Sequence, residues 1–322
     1  MKKIEKLKFK IEEYNDKNKG ATKLIFNIKG VDINEVVLNT LRRAILENVP
    51  IYNFDIFNFE KNTSVFHNTY MELRLRNMPI WGIDNEVVFL KEATETIDIH
   101  DGSDDEFEYD TNKPIDTSTL KQLTMYINFK NNSNNIVTVS TENAKFYFAQ
   151  EQINNPYYVH IPIIKLQPEQ EISFSAITNI NIEKINPVYS PCSVCFFKIK
   201  SENDYDFILE SRGQITEKRI INVAIQNIIK NMNNILKELK THTYEKEGII
   251  IINKENHTMG NLIARGLQQH SNIEFAGYNM PHPLSNIIHI HYKINKIDII
   301  KAIEDVVDYY TDLFNQFHIF LK

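Results

Sequence analysis

Residues 37–49 repeat apolar side chains at the spacing of an α-helix, which predicts a helix with one buried side. Pro50 prevents this helix from continuing, and the aromatic and β-branched residues of 51–54 favour a strand. The chain is therefore expected to form a helix, a sharp stop and a strand. The side chains expected on the buried face of the helix are Val37, Leu38, Leu41, Ala44 and Ile45.

A weaker copy of this pattern lies 221 residues later, in residues 260–267 and 272–275. Two half-domains of one kind are the simplest interpretation. Chance is the alternative, because apolar residues five apart recur in many helical sequences. The shift superposes Leu41 on Leu262, Leu46 on Leu267, Tyr52 on Ile273 and Phe54 on Phe275.

Two longer helices are predicted outside this repeat. One begins after Thr216, a suitable N-cap, and continues to about Lys240. The other, over residues 299–317, has the clearest helical spacing in the chain and extends over about five turns. So wide an apolar stripe needs a large surface to cover it. The helix after Thr216 is the expected partner. The stripe comprises Ile299, Ile300, Ile303, Val306, Val307, Tyr310, Leu313, Phe314 and Phe317.

Alternating or wholly apolar runs predict the strands of both half-domains. The polar residues 15–20 are expected to form the turn between the first two strands, and the polar stretch 240–248 is the best linker between the halves. These strands are predicted at 6–12, 23–29, 51–60, 249–252, 273–278 and 288–294.

Between residues 84 and 204 the chain changes to short apolar runs separated by polar loops, which indicates a β-rich insert domain. The acidic segment 101–110 is interpreted as a solvated loop, with attraction of a basic partner or a cation as the alternative. The predicted fold class is therefore α+β, with two half-domains and an insert. The predicted boundaries are 1–83 and 205–240 for the first half-domain, 84–204 for the insert and 241–322 for the second half-domain.

Composition narrows the class of protein. The chain has 322 residues, of which 42% are hydrophobic and 24% charged, and it has no apolar run near the ~18 residues that a membrane span needs. Met1–Lys6 leads into an alternating strand rather than the apolar core of a signal peptide, so an intracellular protein is expected. Two cysteines exclude a disulfide framework. A net charge of −6 argues against a nucleic-acid footprint covering the whole surface.

Few residues have the spacing of a chemical site. Cys192 and Cys195 have the spacing of half a zinc site, but no other cysteine exists, and two partly buried packing residues are the simpler account. His289 and His291 share a strand face and could chelate a metal, although a polar solvent face explains them equally well. His282, between two prolines, is expected to be a turn residue. No phosphate loop or nucleophile elbow occurs, so catalysis within this chain is not expected.

Arg42, Arg43 and Glu47 occupy the polar face of the first helix. Two arginines on a helix whose other side is buried offer two planar guanidinium groups to carboxylates of a partner. The alternative is an ordinary solvated helix face.

These motifs resemble one protein family. Residues 38–46 with Val49 and Pro50 are similar to the signature helix of the α-like subunits of multisubunit DNA-dependent RNA polymerases: bacterial alpha, archaeal D and the third subunit of the eukaryotic enzyme. Residues 163–171 with 189–192 resemble the end of the insert of that larger subunit, and residues 210–214 resemble the entry to its long helix. Residues 255–262 with 274–278 and 281–284 resemble its smaller partner, archaeal L or the eleventh subunit.

The resemblance covers nearly the whole chain and implies two partners fused in one polypeptide. Such fusions are known from large DNA viruses, and the Ile, Asn and Lys bias fits an AT-rich genome, so a viral protein is expected, in the host cytoplasm and the virion or, alternatively, in the nucleus. Residues 84–110 of the insert lack the cysteines with which some relatives bind zinc or an iron–sulfur cluster, and no cofactor is expected.

The function implied by the resemblance is a non-catalytic platform on which the two largest polymerase subunits assemble. Small subunits would dock beside it, DNA would be contacted only indirectly, and neither a membrane nor a free homodimer is expected. Arg42, Arg43 and Glu47 would face a large subunit. The alternative function is a metal-binding or redox protein built on Cys192, Cys195 and histidines. The residues expected to pack half against half are Leu41, Leu46, Leu262, Leu267, Ile303, Val307, Tyr310 and Phe314.

Overall fold

The structure is a computed structural model that describes residues 4–15, 22–81 and 122–321. Within these ranges the chain forms fourteen strands and five α-helices, the mixed α+β class expected from the sequence. It divides into two compact units, one of residues 1–49 and 191–322 and the other of residues 50–190. Most of the predicted turn at 15–20 and the acidic segment 101–110 lie outside the described residues.

The helices are α1 (Glu35–Asn48), α2 (Asn68–Arg76), α3 (Glu217–Leu239), α4 (His257–Gln268) and α5 (Ile299–Leu321). The strands are β1 (Lys8–Asn15), β2 (Thr22–Lys29), β3 (Ile51–Asn62), β4 (Leu123–Lys130), β5 (Val137–Ser140), β6 (Lys145–Phe148), β7 (Glu151–Ile153), β8 (Pro162–Leu166), β9 (Glu171–Asn181), β10 (Cys192–Ser201), β11 (Asp204–Ser211), β12 (Glu247–Asn253), β13 (Ile273–Asn279) and β14 (Ile287–Ile294).

The unit of residues 1–49 and 191–322 contains two antiparallel sheets. Their strand orders are β1-β2-β11-β10 and β12-β14-β13. In the first sheet Phe26 lies opposite Phe207 with ring centroids 5.5 Å apart, and both rings are fully buried. In the second sheet Ile288, Ile290 and Tyr292 of β14 are buried. The alternation seen along residues 288–294 is thus a strand with one face against the helices.

Helix α1 begins at Glu35, just before the predicted stretch 37–49, and ends at Asn48, before the predicted stop at Pro50. The Asn34 side chain accepts hydrogen bonds from the backbone N–H groups of Val36 and Val37 at 3.0 and 3.1 Å, which caps the N-terminus. At the other end, the Asn227 amide of α3 donates to the Asn48 carbonyl at 2.7 Å and satisfies a terminal acceptor. The buried face includes the five apolar residues predicted for it: Val37, Leu38, Leu41, Ala44 and Ile45.

Helices α3 and α5 pack against each other in opposite directions, as the apolar stripe of α5 requires. At one end Lys240 of the α3 C-cap contacts Glu304 near the start of α5 at 2.9 Å. At the other end the His318 ring lies 3.0 Å from the Asn222 amide oxygen. Thr216 is the N-cap of α3, because its hydroxyl accepts the Arg219 N–H. The predicted partnership of these two helices is confirmed by these contacts.

Helix α4 packs closely on both α5 and the second sheet because two of its positions lack a side chain. A Cβ at Gly266 would overlap the side chains of Val306 and Tyr310 on α5. A Cβ at Gly260 would lie 2.8 Å from Ile288 and 2.9 Å from Tyr278. Both glycines therefore allow the helix backbone to approach its neighbours more closely than an alanine would.

The unit of residues 50–190 is β-rich, as the sequence predicts for the insert. Its strands form a five-stranded sheet of order β3-β9-β4-β6-β7 and a two-stranded sheet of β5 and β8. The unit starts before the predicted insert boundary at residue 84, since it includes β3 and α2. It also ends earlier than residue 204, because β10 and β11 extend the sheet of β1 and β2 in the other unit.

Candidate functional site

The helices of the sequence repeat, α1 and α4, contact each other within one unit and enclose a small cleft of about 120 Å³. Positions that correspond in the repeat line it from both sides: Val36 with His257, and Thr40 with Asn261, each pair 221 residues apart. Asn39 and Arg43 of α1, Thr258 of α4 and Tyr278 of β13 complete the lining. The lining is therefore mainly polar, and none of these eight residues is acidic.

The two arginines of α1 differ in their partners. Arg42 donates from Nε and one terminal nitrogen to the side-chain oxygen of Asn39, at 3.1 and 2.9 Å. Arg43 forms an ion pair with Glu47 one turn later at 2.5 Å, and its side chain is 38% exposed. Within the described part of the chain, Arg43 Nε is buried and has no hydrogen-bond partner. Arg43 thus has a buried donor without a partner, whereas none of the Arg42 nitrogens is both buried and unpaired within the described residues.

Most of the residues predicted to pack half against half lie in the core of this unit. Leu46 differs, because it is only half-buried, whereas Leu267 at the corresponding position is fully buried. The Tyr310 hydroxyl is buried and has no hydrogen-bond partner among the described residues, and burial raises the pKa of this phenol. The buried residues of this set are Leu41, Leu262, Leu267, Ile303, Val307, Tyr310 and Phe314.

Charged groups join α3, α4 and α5. Hydrogen bonds from Lys301 and Lys240 lower the pKa of the Glu304 carboxyl to about 2. Burial would raise the pKa of Asp305, but hydrogen bonds from His270 and Lys301 outweigh it and lower that pKa. The His270 Nδ1 atom accepts the Asn272 N–H at 3.2 Å, so the proton of the neutral ring is on Nε2, which faces Asp305 at 3.3 Å. These groups hold helix ends together rather than forming a reaction centre.

The residues named for the alternative metal-binding or redox function lie on separate elements of the fold. Cys192 is buried and Cys195 half-buried on β10, and the Cys195 sulfur lies 4.0 Å from the Arg42 carbonyl oxygen. On β14, His291 contacts the Asn279 amide oxygen at 2.9 Å. His282 accepts the Leu284 N–H in a turn. Across the described ranges, no group of three or more His, Cys, Asp or Glu side chains is placed to hold a metal ion.

Comparison with known proteins identifies the second half of the chain. Residues 247–318, from β12 to the last turns of α5, match the family model described as the RNA polymerase Rpb3/Rpb11 dimerisation domain. The chain is homologous to RNA polymerase subunits. The matched residues include α4, so one wall of the cleft lies in the region that is similar to the dimerisation domain.

Three relatives show the same similarity, and two of the three alignments are longer than the matched dimerisation domain. A protein of Acanthamoeba polyphaga mimivirus, named as a DNA-directed RNA polymerase subunit, is 27% identical in an alignment of length 318 that covers 90% of this chain and 87% of that protein. From Dictyostelium discoideum, RNA polymerase II subunit rpb3 is 25% identical over 181 residues, and subunit rpb11 is 39% identical over 69 residues. The rpb3 alignment covers 55% of this chain and only 54% of rpb3. The rpb11 alignment covers 20% of this chain and only 58% of rpb11.

The sequence did not reveal the cleft. It gave Arg43 as a surface residue of α1, but it gave no reason to place this side chain beside His257, Thr258 and Asn261, more than two hundred residues away. The available signal was the repeat itself, since residues at corresponding positions of its two helices line the cleft. None of the helices in the three described ranges has a stretch long and apolar enough to cross a membrane.

Proposed function

We propose that this chain is a non-catalytic assembly subunit of a DNA-dependent RNA polymerase, in which an Rpb3-like and an Rpb11-like half are fused as an internal pseudo-dimer. The observation that carries the proposal is the match of residues 247–318 to the dimerisation domain, in a chain that is also similar to rpb3. In Dictyostelium the rpb3 and rpb11 subunits are two separate proteins.

The packing of the halves supports the pseudo-dimer. Helix α5, from the second half, covers α3 and also reaches the first sheet: Phe317 and Phe320 pack on Phe9 of β1, with centroids 5.0 and 4.7 Å apart. Contacts of this kind belong to an interface with a hydrophobic core. The two halves would thus form one platform, held by α3 and α5 and by the meeting of α1 and α4.

On this platform the two largest polymerase subunits would assemble, with small subunits docking beside them. The catalytic metal and nucleotide chemistry would belong to the large subunits. The mimivirus relative supports a viral origin, and the proposed place of action is the cytoplasm of the infected host, with packaging into the virion. Cys192, Cys195 and the histidines give no observation that favours the metal or redox alternative.

The test is co-purification of the tagged full-length chain with the two largest subunits of the same source. The wild-type chain is expected to retain both. The Arg42→Ala/Arg43→Ala chain is expected to remain folded, because neither side chain is part of the apolar core, but to retain at least about tenfold less of the large subunits. A matched control is Lys237→Ala/Lys230→Ala, which removes two charges from the exposed face of α3. Absence of the large subunits from the wild-type preparation would contradict the proposed function.

A further inference from the structure

The second sheet ends in a strand whose outer edge is open. Strand β12 stands at one end of the order β12-β14-β13, and no strand among the described residues pairs with its other side. Its register with β14 has no bulge, and residues 247–253 include no lysine and no proline. Natural proteins protect edge strands with such features or with a covering group, because an unprotected edge can pair with another strand. Strand β12 therefore has the properties of a strand-binding edge.

The other three sheet edges of this unit are protected. Strand β1 has one bulge and carries the exposed Lys10, and β10 has two bulges and carries the exposed Lys198. On β13, the Gln268 side chain of α4 donates to the Ala276 carbonyl at 2.9 Å and so occupies a backbone acceptor of that edge. The open edge of β12 is thus an exception within its own unit.

The backbone of β12 offers hydrogen-bonding groups to a further strand. The Ile294 N–H donates to the Lys246 carbonyl at 2.9 Å, and these two residues are directly opposite each other. Because residues of an antiparallel pair alternate between facing and leaving the partner, the N–H and C=O groups of Glu247, Ile249 and Ile251 point away from β14. The Ile249 and Ile251 side chains are also 49% and 53% exposed.

The first sheet shows what occupies the equivalent position. Strand β2 precedes α1 and pairs with β11, which precedes α3. In the same way, β12 precedes α4 and pairs with β14, which precedes α5. The free side of β2 is covered by β1, which runs antiparallel to it. In the second half, residues 240–246 stand before β12 and form no strand. The second sheet therefore lacks the counterpart of β1.

We propose that the open edge of β12 binds an extended segment of another polymerase subunit, which pairs antiparallel with β12 as β1 pairs with β2. This inference rests on the proposed function, because it takes the partner from the polymerase. The segment should carry apolar side chains opposite Ile249 and Ile251. It should carry a lysine or arginine opposite Glu247, whose side chain is 72% exposed. In strand addition, backbone hydrogen bonds supply affinity and the alternate side chains supply specificity.

The charges beside β12 disfavour a second copy of this chain as the partner. Two antiparallel registers of β12 with itself align three pairs of isoleucines on matching faces. One of them sets Glu245 opposite Glu255 of the copy, and the other sets Glu247 opposite Glu255. Like charges directly opposite each other destabilise a strand pair. A segment of different sequence avoids this repulsion.

Amide hydrogen exchange tests the pairing, measured residue by residue in the free full-length chain and in the purified polymerase that contains it. In the free chain, Ile249 and Ile251 should exchange rapidly, whereas Ile250, which is bonded to β14, should be protected. In the polymerase we expect the Ile249 and Ile251 amides to exchange at least about tenfold more slowly. Unchanged exchange of both would overturn this inference while the assembly function stands. A chain that does not assemble with the large subunits would contradict both.

Ile251→Pro blocks the edge without removing a bond to β14, because it deletes only an N–H that points outward. The matched control is Ile251→Thr, which keeps that N–H and a β-branched side chain. In polymerase assembled with the proline variant, the Ile249 amide should exchange as in the free chain, whereas the control should keep the protection. Retained protection in Ile251→Pro would contradict strand pairing. Urea curves check the fold of both variants, and the wild-type comparison decides the question if Ile251→Pro does not fold.

Photocrosslinking in the assembled polymerase identifies the partner. Ile249→p-benzoylphenylalanine places a photoreactive group at the open edge, and Lys198→p-benzoylphenylalanine places the same group at the protected edge of β10. From position 249 we expect a crosslink to one segment of another subunit, with apolar residues at alternate positions and a basic residue beside them, located by mass spectrometry. The control should not reach this segment. A crosslink from position 249 only to this chain or to a second copy of it would overturn the proposal.

Discussion

Two adjacent tyrosines on α5 show how the position of one hydroxyl decides its effect on stability. The Tyr309 hydroxyl donates to the Asp32 carboxylate at 2.9 Å, and its phenol has a raised pKa because of burial and this acidic neighbour. The Tyr310 ring lies close to Gly266 of α4, and its hydroxyl is buried without a partner in the part of the chain that the structure describes. One hydroxyl therefore links the two halves of the chain, and the other carries only the cost of its desolvation.

The pair gives a direct prediction. Tyr309→Phe should lower the free energy of unfolding by about 1 kcal/mol, because a hydrogen bond to a carboxylate is lost. Tyr310→Phe should leave this free energy unchanged or raise it by up to about 1 kcal/mol, because the substitution removes a buried polar atom and keeps the ring. Urea denaturation of both variants measures the difference. A larger loss for Tyr310→Phe than for Tyr309→Phe would mean that the Tyr310 hydroxyl is in fact satisfied.

At the scale of elements, local patterns in the sequence predicted the helices and strands well. The N-cap at Thr216, the stop at Pro50 and the alternation of residues 288–294 depend on neighbours in the chain, and the structure confirms each of them. By contrast, Met71, Leu73 and Leu75 alternate along the chain, yet they lie on a helix, where Met71 and Leu75 are buried four residues apart and Leu73 is 59% exposed.

Contacts between distant residues were harder to predict. The assignment of β10 and β11 to the sheet of β1 and β2 depends on pairing across more than 160 residues, and no local spacing encodes it. The half-burial of Leu46 reflects what packs on α1 and not its helical position, since Leu267 at the equivalent position of α4 is buried by α5 and its neighbours. The cleft was missed for the same reason: its two walls come from opposite ends of the chain.

The junction of α3 and α5 predicts how stability depends on pH. Because Lys301 and Lys240 lower the pKa of Glu304 from its usual 4.5 to about 2, the ionised form stabilises the folded state. This contribution is complete above the usual pKa and is lost as the pH falls from about 4.5 towards 2. Glu304→Gln should therefore lower stability at pH 7 and have little further effect at pH 2.

The measurement is the urea midpoint of wild type and variant at pH 7, 4 and 2. The difference between wild type and Glu304→Gln should shrink across this series. The control is Glu238→Gln, which removes an exposed carboxylate from the same end of α3. Because Glu238 has no ion pair within the described ranges, this control should differ little from wild type at all three pH values. A difference that stays constant from pH 7 to pH 2 would show that Glu304 acts through packing and not through its charge.

At the scale of the whole molecule, the connection between the halves is short and simple. Residues 241–243 are exposed and lie between α3 and β12. The second half returns to the first through α5, where the Gln316 side chain accepts the Leu7 N–H at 2.7 Å and Phe317 packs on Phe9. The fold of residues 1–49 and 191–322 therefore depends on α5 as much as on the strands of this unit. The covalent link mainly raises the effective concentration of one half near the other, to the order of millimolar.

This view predicts the behaviour of a chain divided between His242 and Thr243. Co-expressed fragments 1–242 and 243–322 should purify together, because the α3–α5 packing and the α1–α4 contact do not need the peptide bond. The divided protein should melt at a temperature that rises with protein concentration, whereas the intact chain should not, since only the divided protein unfolds into two molecules. Fragment 1–242 alone should aggregate, because the apolar face of α3 and the rings of Phe9 and Phe26 would lose the cover of α5. A soluble, cooperatively folding fragment 1–242 would contradict the pseudo-dimer and favour a second half that is only an appended domain.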